Sequence, residues 1–277
     1  MTVFRCDFSK LGKPIGPVIR LNSWEAYMGF PMVQTIPNTC TLVACSVCVE
    51  AMHRLKYETW HGAGTFPCRA AAPRQLRRAC CRDGIWTPKD GADVDAVLKK
   101  LQELGGVRTT NAPGPAPFVL PLRSWQGHHE PTLECVARLL DRGPCIGSVW
   151  VCPWWWLFDS SFSDDLVYRG CGRSRGARAA SVLLYGPDAV AYHAVVCYKY
   201  RRVCVKEEDM KEGEDRGEAE AKEEMHVLVM DNNTATGPSL WIEYEEILSL
   251  HSVDVERMEP PIHLGGRQNL GGRQIMM

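Results

Sequence analysis

The chain has 277 residues, 45% hydrophobic and 23% charged, with a net charge of −1. That balance describes a globular chain with a sizeable core and gives no electrostatic reason to expect nucleic acid or a membrane as partner. No apolar run approaches the roughly 18–20 residues that span a bilayer, and "MTVFRCDFSKLGKP" lacks the apolar stretch of a secretory signal. Unless a leader is missing, the thirteen cysteines therefore read as reduced thiols of a monomeric protein inside the cell.

Residues 1–30 look irregular, and the first 24 read as an N-terminal extension. The stretch 39–55 predicts a helix. Pro37 stops any helix running in from before it, and Asn38 or Thr39 offers a cap. From Thr41 to Met52 both faces are mostly apolar, so this helix is expected to be buried on most sides. Residues 60–90 read as loops carrying the basic cluster "RQLRRACCR". "GADVDAVLKKLQELGGV" is an amphipathic helix: Val94, Val97, Leu98, Leu101 and Leu104 share a face, and Gly105-Gly106 ends it. Residues 110–131 read as a proline-rich loop, "PTLECVARLLDRGP" as a second amphipathic helix and "CIGSVWV" as a strand. "PWWWLF" at 153–158 reads as core or as the face of a subdomain.

From Ala189 the pattern turns to β. "AVAYHAVVCYKYRR" and "EMHVLVMDNN" are strand-like, and the charge-dense run between them reads as a solvated loop. "SLWIEYEEILSL" predicts one more strand running into a turn or short helix. The tail repeats LGGRQ and has little to bury, so 256–277 is expected to be disordered. Helices first and strands last point to an α+β class, with a helical part at about 38–140, a β part at about 144–255 and an acidic insertion at 205–224.

Cys40 falls in the first turn of the first helix. Unpaired N–H groups and the positive dipole end favour a thiolate there. Cys45 and Cys48 lie deeper and should be protonated and inert. A nucleophilic thiolate needs a base, and the base needs an orienting group. If the two strand-like runs form a hairpin, pairing 201 with 224 sets His193 beside Asn232, with Asp231 or Asn233 as alternatives because a long loop leaves the register open. The Gln34 amide and the Cys40 N–H could together hold a developing oxyanion. His53, His61, His128 and His129 have no evident partner of that kind. A competing use of the thiols is a zinc or redox site built from Cys45, Cys48, Cys80, Cys81 and His53 or His61, although structural zinc ligands sit on knuckles or loops rather than inside an apolar helix.

Taken in order, Gln34, Cys40, His193-Ala194-Val195 and "NNTATGPS" resemble the papain-like cysteine peptidases over roughly residues 25–250. In that family a glutamine lies six positions before the nucleophile, the histidine sits in a "HAV" strand, and an asparagine opens an N-S-W-G-x-G-W-G run, where Asn232 falls. "GADVDAVLKKLQELGGV" and "LLDRGPCIGSVWV" also match family segments. The resemblance implies a helical left subdomain packed on a β-barrel-like right subdomain with the active-site cleft between them. It implies a Cys40–His193–Asn232 triad with Gln34 in the oxyanion hole, peptide or protein substrates, and no cofactor or metal. Several features depart from the family pattern. Pro37 stands where a disulfide-bonded cysteine is usual, Thr41 follows the nucleophile in place of tryptophan, and Thr234 occupies the position of the tryptophan that shields the asparagine–histidine contact. No Gly-Gly substrate segment is evident before residue 92. These departures leave a second expectation, a catalytically impaired relative that binds or inhibits.

Overall fold

The computed structural model describes residues 16–29, 32–110, 118–152, 155, 166–169, 175–186, 190–205, 222–232 and 239–258. Asn233 and Thr234, most of the acidic insertion, the LGGRQ tail and the "PWWWLF" cluster apart from Trp155 lie outside the described residues.

The first helix, α1, spans Cys40–His61. It runs two turns past the expected end, and every residue from Cys40 to His53 is buried. Its start differs from the expected cap. Asn38 adopts the left-handed region, φ 59°, and its side-chain amide donates to the Pro88 carbonyl at 2.7 Å. The Thr39 hydroxyl donates backwards to the Ile36 carbonyl at 2.7 Å. Thr39 is the N-cap residue but makes no side-chain capping bond, so no side chain covers the positive end where Cys40 sits.

Two helices follow, α2 at Arg74–Arg82 and α3 at Val94–Glu103. The arginine-rich cluster read as loop is therefore helical, with Leu76, Ala79 and Cys80 turned inward. Asp93 caps α3 by accepting from the Ala96 N–H at 3.0 Å. Val94, Val97, Leu98 and Leu101 of α3 are buried against α1, and each fully buried aliphatic side chain contributes roughly 1.5–3 kcal/mol relative to exposure. A fourth helix, α4, covers Leu133–Leu140, and a fifth, α5, Arg175–Tyr185.

The strands are β1 Val18–Ser23, β2 Val107–Arg108, β3 Val119–Leu120, β4 Leu122–His129, β5 Cys145–Val151, β6 Val167–Tyr168, β7 Ala191–Val205, β8 Lys222–Met230, β9 Ser239–Glu243 and β10 Ile247–Val255. Eight of them form one sheet in the order β4-β10-β5-β7-β8-β9-β6, with β1 also paired to β7, and β2 and β3 pair separately. All its pairings are antiparallel except β6 with β9. Among the described residues the sheet does not close into a barrel. It also draws β1 from the expected N-terminal extension and β4 from the expected proline-rich loop.

The long strand β7 is the spine. On one edge β5 pairs with residues 191–197 and β1 with residues 199–203, and β8 takes the other edge. Ala194 and Val196 face α1 in the first core cluster, while Val195 and Cys197 face α4 in the second.

The hairpin of β7 and β8 is present, with a different register. Arg201 lies opposite His226, not residue 224, and a bulge between Cys197 and Lys199 moves the pairing by one, so Val196 faces Met230. Continuing that register, Asp231 follows opposite Val195, on the His193 face and diagonal to it.

Beyond α3 the chain turns on Gly105 and Gly106, at φ 81° and 127°. The Gly106 N–H returns to the Leu101 carbonyl at 2.8 Å. A Cβ at Gly106 would collide with the Leu120 carbonyl and Pro121, whereas one at Gly105 meets nothing within 4 Å. Gly105→Ala should therefore cost only the left-handed penalty of about 1–2 kcal/mol. Gly106→Ala should exceed the ~3 kcal/mol typical of backbone strain alone. Denaturant midpoints of the two variants check the difference, and equal losses would refute the packing account of this turn.

Candidate active site

Cys40 opens α1 at the point where the helix meets β7. Burial by itself would push its thiol pKa up, but a hydrogen bond to the His193 ring, the charge of that ring and the Ala194 N–H outweigh it, and the pKa lies below the ordinary value. The Thr41 hydroxyl lies 2.9 Å from the Ala92 carbonyl, to which it donates, so its one proton is not available to the sulfur. Cys45 and Cys48 are fully buried, and desolvation drives both thiols well above the usual range. Local structure thus separates one activated sulfur from two inert ones on the same helix.

His193 is the third residue of β7 and only 4% exposed. Its Nε2 lies 3.0 Å from Asp231 Oδ1, which leaves Nδ1 for the sulfur. Burial lowers its pKa, but the Asp231 carboxylate and the Cys40 sulfur raise it more, to about 10. The two shifts describe a thiolate–imidazolium pair backed by a carboxylate. The partner of the imidazole is Asp231 rather than Asn232, because the register sets Asp231 on the histidine's face.

Asp231 has a second partner. Its Oδ2 accepts a hydrogen bond from Trp155 Nε1 at 2.7 Å. The indole lies edge-on to the His193 ring, with centroids 6.0 Å apart at 75°, and edge-on to Tyr168 at 4.8 Å. Trp155 and Asp231 are 1% and 2% exposed. The shield thought absent at Thr234 is thus supplied from a distant part of the chain, and water is excluded from the contact between carboxylate and imidazole. Sequence reasoning missed this residue. Its only signal was the run of three tryptophans, read as general core.

Gln34 and Asn232 meet through backbone, the Gln34 N–H donating to the Asn232 carbonyl at 2.6 Å. The Asn232 side chain is 1% exposed, and neither its oxygen nor its nitrogen finds a partner among the described residues. Gln34 Oε1 is likewise buried without a partner there.

Among the described residues His53, His61, His128, His129 and His251 stand apart from this site. His53 Nε2 lies 2.9 Å from the Pro121 carbonyl, and burial lowers its pKa to about 4, which keeps the ring neutral. His61 packs on Tyr57, while His128 and His129 end β4. His251 lies 3.3 Å from Asp95, which also accepts from Trp125. That pair repeats the motif of histidine, carboxylate and indole, but it is not the pair that lowers the Cys40 pKa. Among the described residues no group of three or more His, Cys, Asp or Glu side chains is placed to hold a metal ion, although Cys80 of α2 shares the first core cluster with Cys45 and helps to push its thiol pKa up.

No family model matches the sequence, and a comparison with curated proteins finds no relative. Solved structures do match. A clostridial cysteine protease, Cwp84 with a C116A substitution after propeptide cleavage, superposes with a TM-score of 0.53 at 14% identity over 84% of this chain. The chain spans 56% of the length of that protein. The bromelain protease of Ananas comosus, in complex with the E64 inhibitor, superposes with a TM-score of 0.50 at 12% identity, over 86% of this chain and 100% of bromelain. At such identities the likeness is one of backbone, and it agrees with a buried helix docked on a mixed sheet: the chain has the papain-like cysteine protease fold.

Proposed function

We propose that this chain is a cysteine-type peptidase acting on peptide or protein substrates. The observation that carries the reading is the buried array of Cys40, His193 and Asp231, in which the thiol pKa is lowered and the imidazole pKa raised. The Cys40 thiolate attacks the scissile carbonyl carbon, and negative charge moves to the carbonyl oxygen. The Cys40 N–H at the uncapped start of α1 and the Gln34 side-chain amide are the donors assigned to that oxygen. Collapse of the tetrahedral species breaks the C–N bond, and the His193 imidazolium gives its proton to the leaving amine. The neutral imidazole then takes a proton from water, whose oxygen attacks the thioester and releases the acid.

Asp231 and Trp155 act through His193. The carboxylate fixes the ring so that Nδ1 faces sulfur and stabilises its protonated form, and the indole N–H fixes the carboxylate. One observation favours the alternative of a silent binding or inhibitory relative: Cys40 is only 9% exposed and His193 4%, so a substrate has little of the pair to reach.

A small epoxide of the E64 type separates the two readings. Selective alkylation of Cys40 at neutral pH, lost in Cys40→Ala together with all peptide turnover, is the expected result. If Cys40 labels no faster than the other thiols, the peptidase assignment fails. The pH profile has a definite sign. A depressed thiol pKa keeps the thiolate populated below the ordinary cysteine range, and a raised imidazole pKa keeps the ring protonated up to about 10. The rate should fall on the acid side, below the ordinary cysteine range, as the thiolate takes up its proton, and fall on the alkaline side as His193 loses its own.

Asp231→Asn should not be a mild change. Two N–H donors converge on the carboxylate, and an amide offers one acceptor oxygen, so one donor is left facing an NH2 group. Turnover should drop by about 10²-fold or more, with the alkaline limb shifted to lower pH because the imidazolium loses its counter-charge. Trp155→Phe keeps the ring edge but removes the donor. It should lower kcat about tenfold at unchanged KM, the equivalent of one charge-assisted hydrogen bond. Steady-state kinetics across pH check both.

A further inference from the structure

We infer that Cys145 and Cys197 are the site of a disulfide that cross-links β5 to β7 when the chain folds in an oxidising compartment. The inference goes beyond the peptidase reading and does not depend on it. The two cysteines are direct partners across antiparallel strands. Such partners have Cα atoms about 4.5 or 5.5 Å apart, according to whether they exchange hydrogen bonds, and both spacings fall inside the range of about 4.4–6.8 Å that a disulfide spans. Both side chains enter the second core cluster, so they share a face of the sheet. Two more pairs follow on that face, Gly147 with Val195 and Val149 with His193. The cross-link therefore closes the ladder that carries His193, just ahead of the bulge after Cys197.

As thiols the two sulfurs turn apart. The Cys145 S–H donates to the Gly143 carbonyl at 3.6 Å, and the Cys197 sulfur lies over Gly147, where an added Cβ would come within 2.6 Å of it. Rotation about χ1 moves each sulfur to another staggered well, toward its partner. Cys48 also lies near the pair, but its S–H donates to the Pro144 carbonyl at 3.5 Å, and it belongs to the first core cluster together with Cys40. Burial pushes the Cys145 thiol up to about 12 and that of Cys197 well above the ordinary range, so the folded chain holds few thiolates there and the exchange belongs to the assembling chain. The oxidant is a small-molecule disulfide such as oxidised glutathione. One protein thiolate attacks it, forming a mixed disulfide and releasing one glutathione thiolate. The second protein thiolate attacks the protein sulfur of the mixed disulfide, closes the Cys145–Cys197 bond and releases the other glutathione. Two protein thiols are oxidised, one glutathione disulfide is reduced to two thiols, and the two protons pass to the glutathione sulfurs.

The test refolds the reduced, unfolded chain in a buffer of oxidised and reduced glutathione. Remaining thiols are alkylated, and the protein is digested with trypsin without reduction and mapped by mass spectrometry. The dominant linkage should join Cys145 to Cys197, with Cys40 recovered as an alkylated free thiol. Cys152 shares a tryptic peptide with Cys145, so fragmentation of the linked pair assigns the bond between them. The oxidised protein should melt higher than the reduced one by roughly 5–10 °C, the effect of one well-placed disulfide in a chain of this size. Cys197→Ala should abolish that difference. The map of the unaltered chain decides the matter even where the variant fails to fold. A map in which Cys145 and Cys197 stay free, or in which links through Cys48, Cys135 or Cys152 dominate, would overturn the inference. Either result leaves the peptidase reading where it stands, because that reading is tested at Cys40.

Discussion

The meeting of a helix start with a strand start is the constraint on which the molecule depends. Cys40 is the first residue of α1 and His193 the third of β7. Neither works alone: both are desolvated by burial, the His193 ring lowers the pKa of the sulfur, and the Asp231 carboxylate together with the sulfur raises that of the ring. Holding two such groups together requires stiff supports. The helix is buried all round from Cys40 to His53, and the strand is paired with β5 at His193 and flanked on both edges from Val196 to Val203. Glu50 adds a lock inside the helical part: it is buried, accepts from the Ala70 N–H at 2.8 Å and pairs with Arg54 at 3.0 Å, tying the chain after α1 back to the helix.

The carboxylate behind the histidine follows from this setting. A buried imidazolium is poorly matched by a neutral amide, and an indole donor on the far side calls for a second acceptor. Asp231 meets both needs. Its place follows from the bulge after Cys197, one extra residue that shifts the register so that Asp231 falls opposite Val195, on the histidine's face.

The elements with strong internal patterns were legible in the sequence. Val94, Val97, Leu98 and Leu101 fixed α3, the mostly apolar run from Leu42 to Met52 fixed α1, and the β-branched stretches fixed β5, β7 and β8. The α+β class and the cysteine and histidine of the site could be read from the same patterns. What escaped has a common cause, since partners rather than periodicity define it. β4 is a largely polar strand that, among the described residues, pairs with β10 alone. In α2 only Leu76, Ala79 and Cys80 are buried, and arginines mask them. β9 and the short helical turn Tyr244–Glu246 agree with a strand running into a turn, but β10 begins directly after that turn and has no signal of its own to separate it. Trp155 was out of reach for a similar reason, since no local pattern links it to residues 193 and 231.

The short bond from the Gln34 N–H to the Asn232 carbonyl makes one mechanical unit of two parts that seem separate. The loop leading into α1 cannot swing outward to admit a bulkier ligand without tugging on the end of β8, one residue from Asp231. A displacement of the segment that enters α1 is therefore also a displacement of the residue next to Asp231, so the approach to Cys40 and the tether of His193 move together.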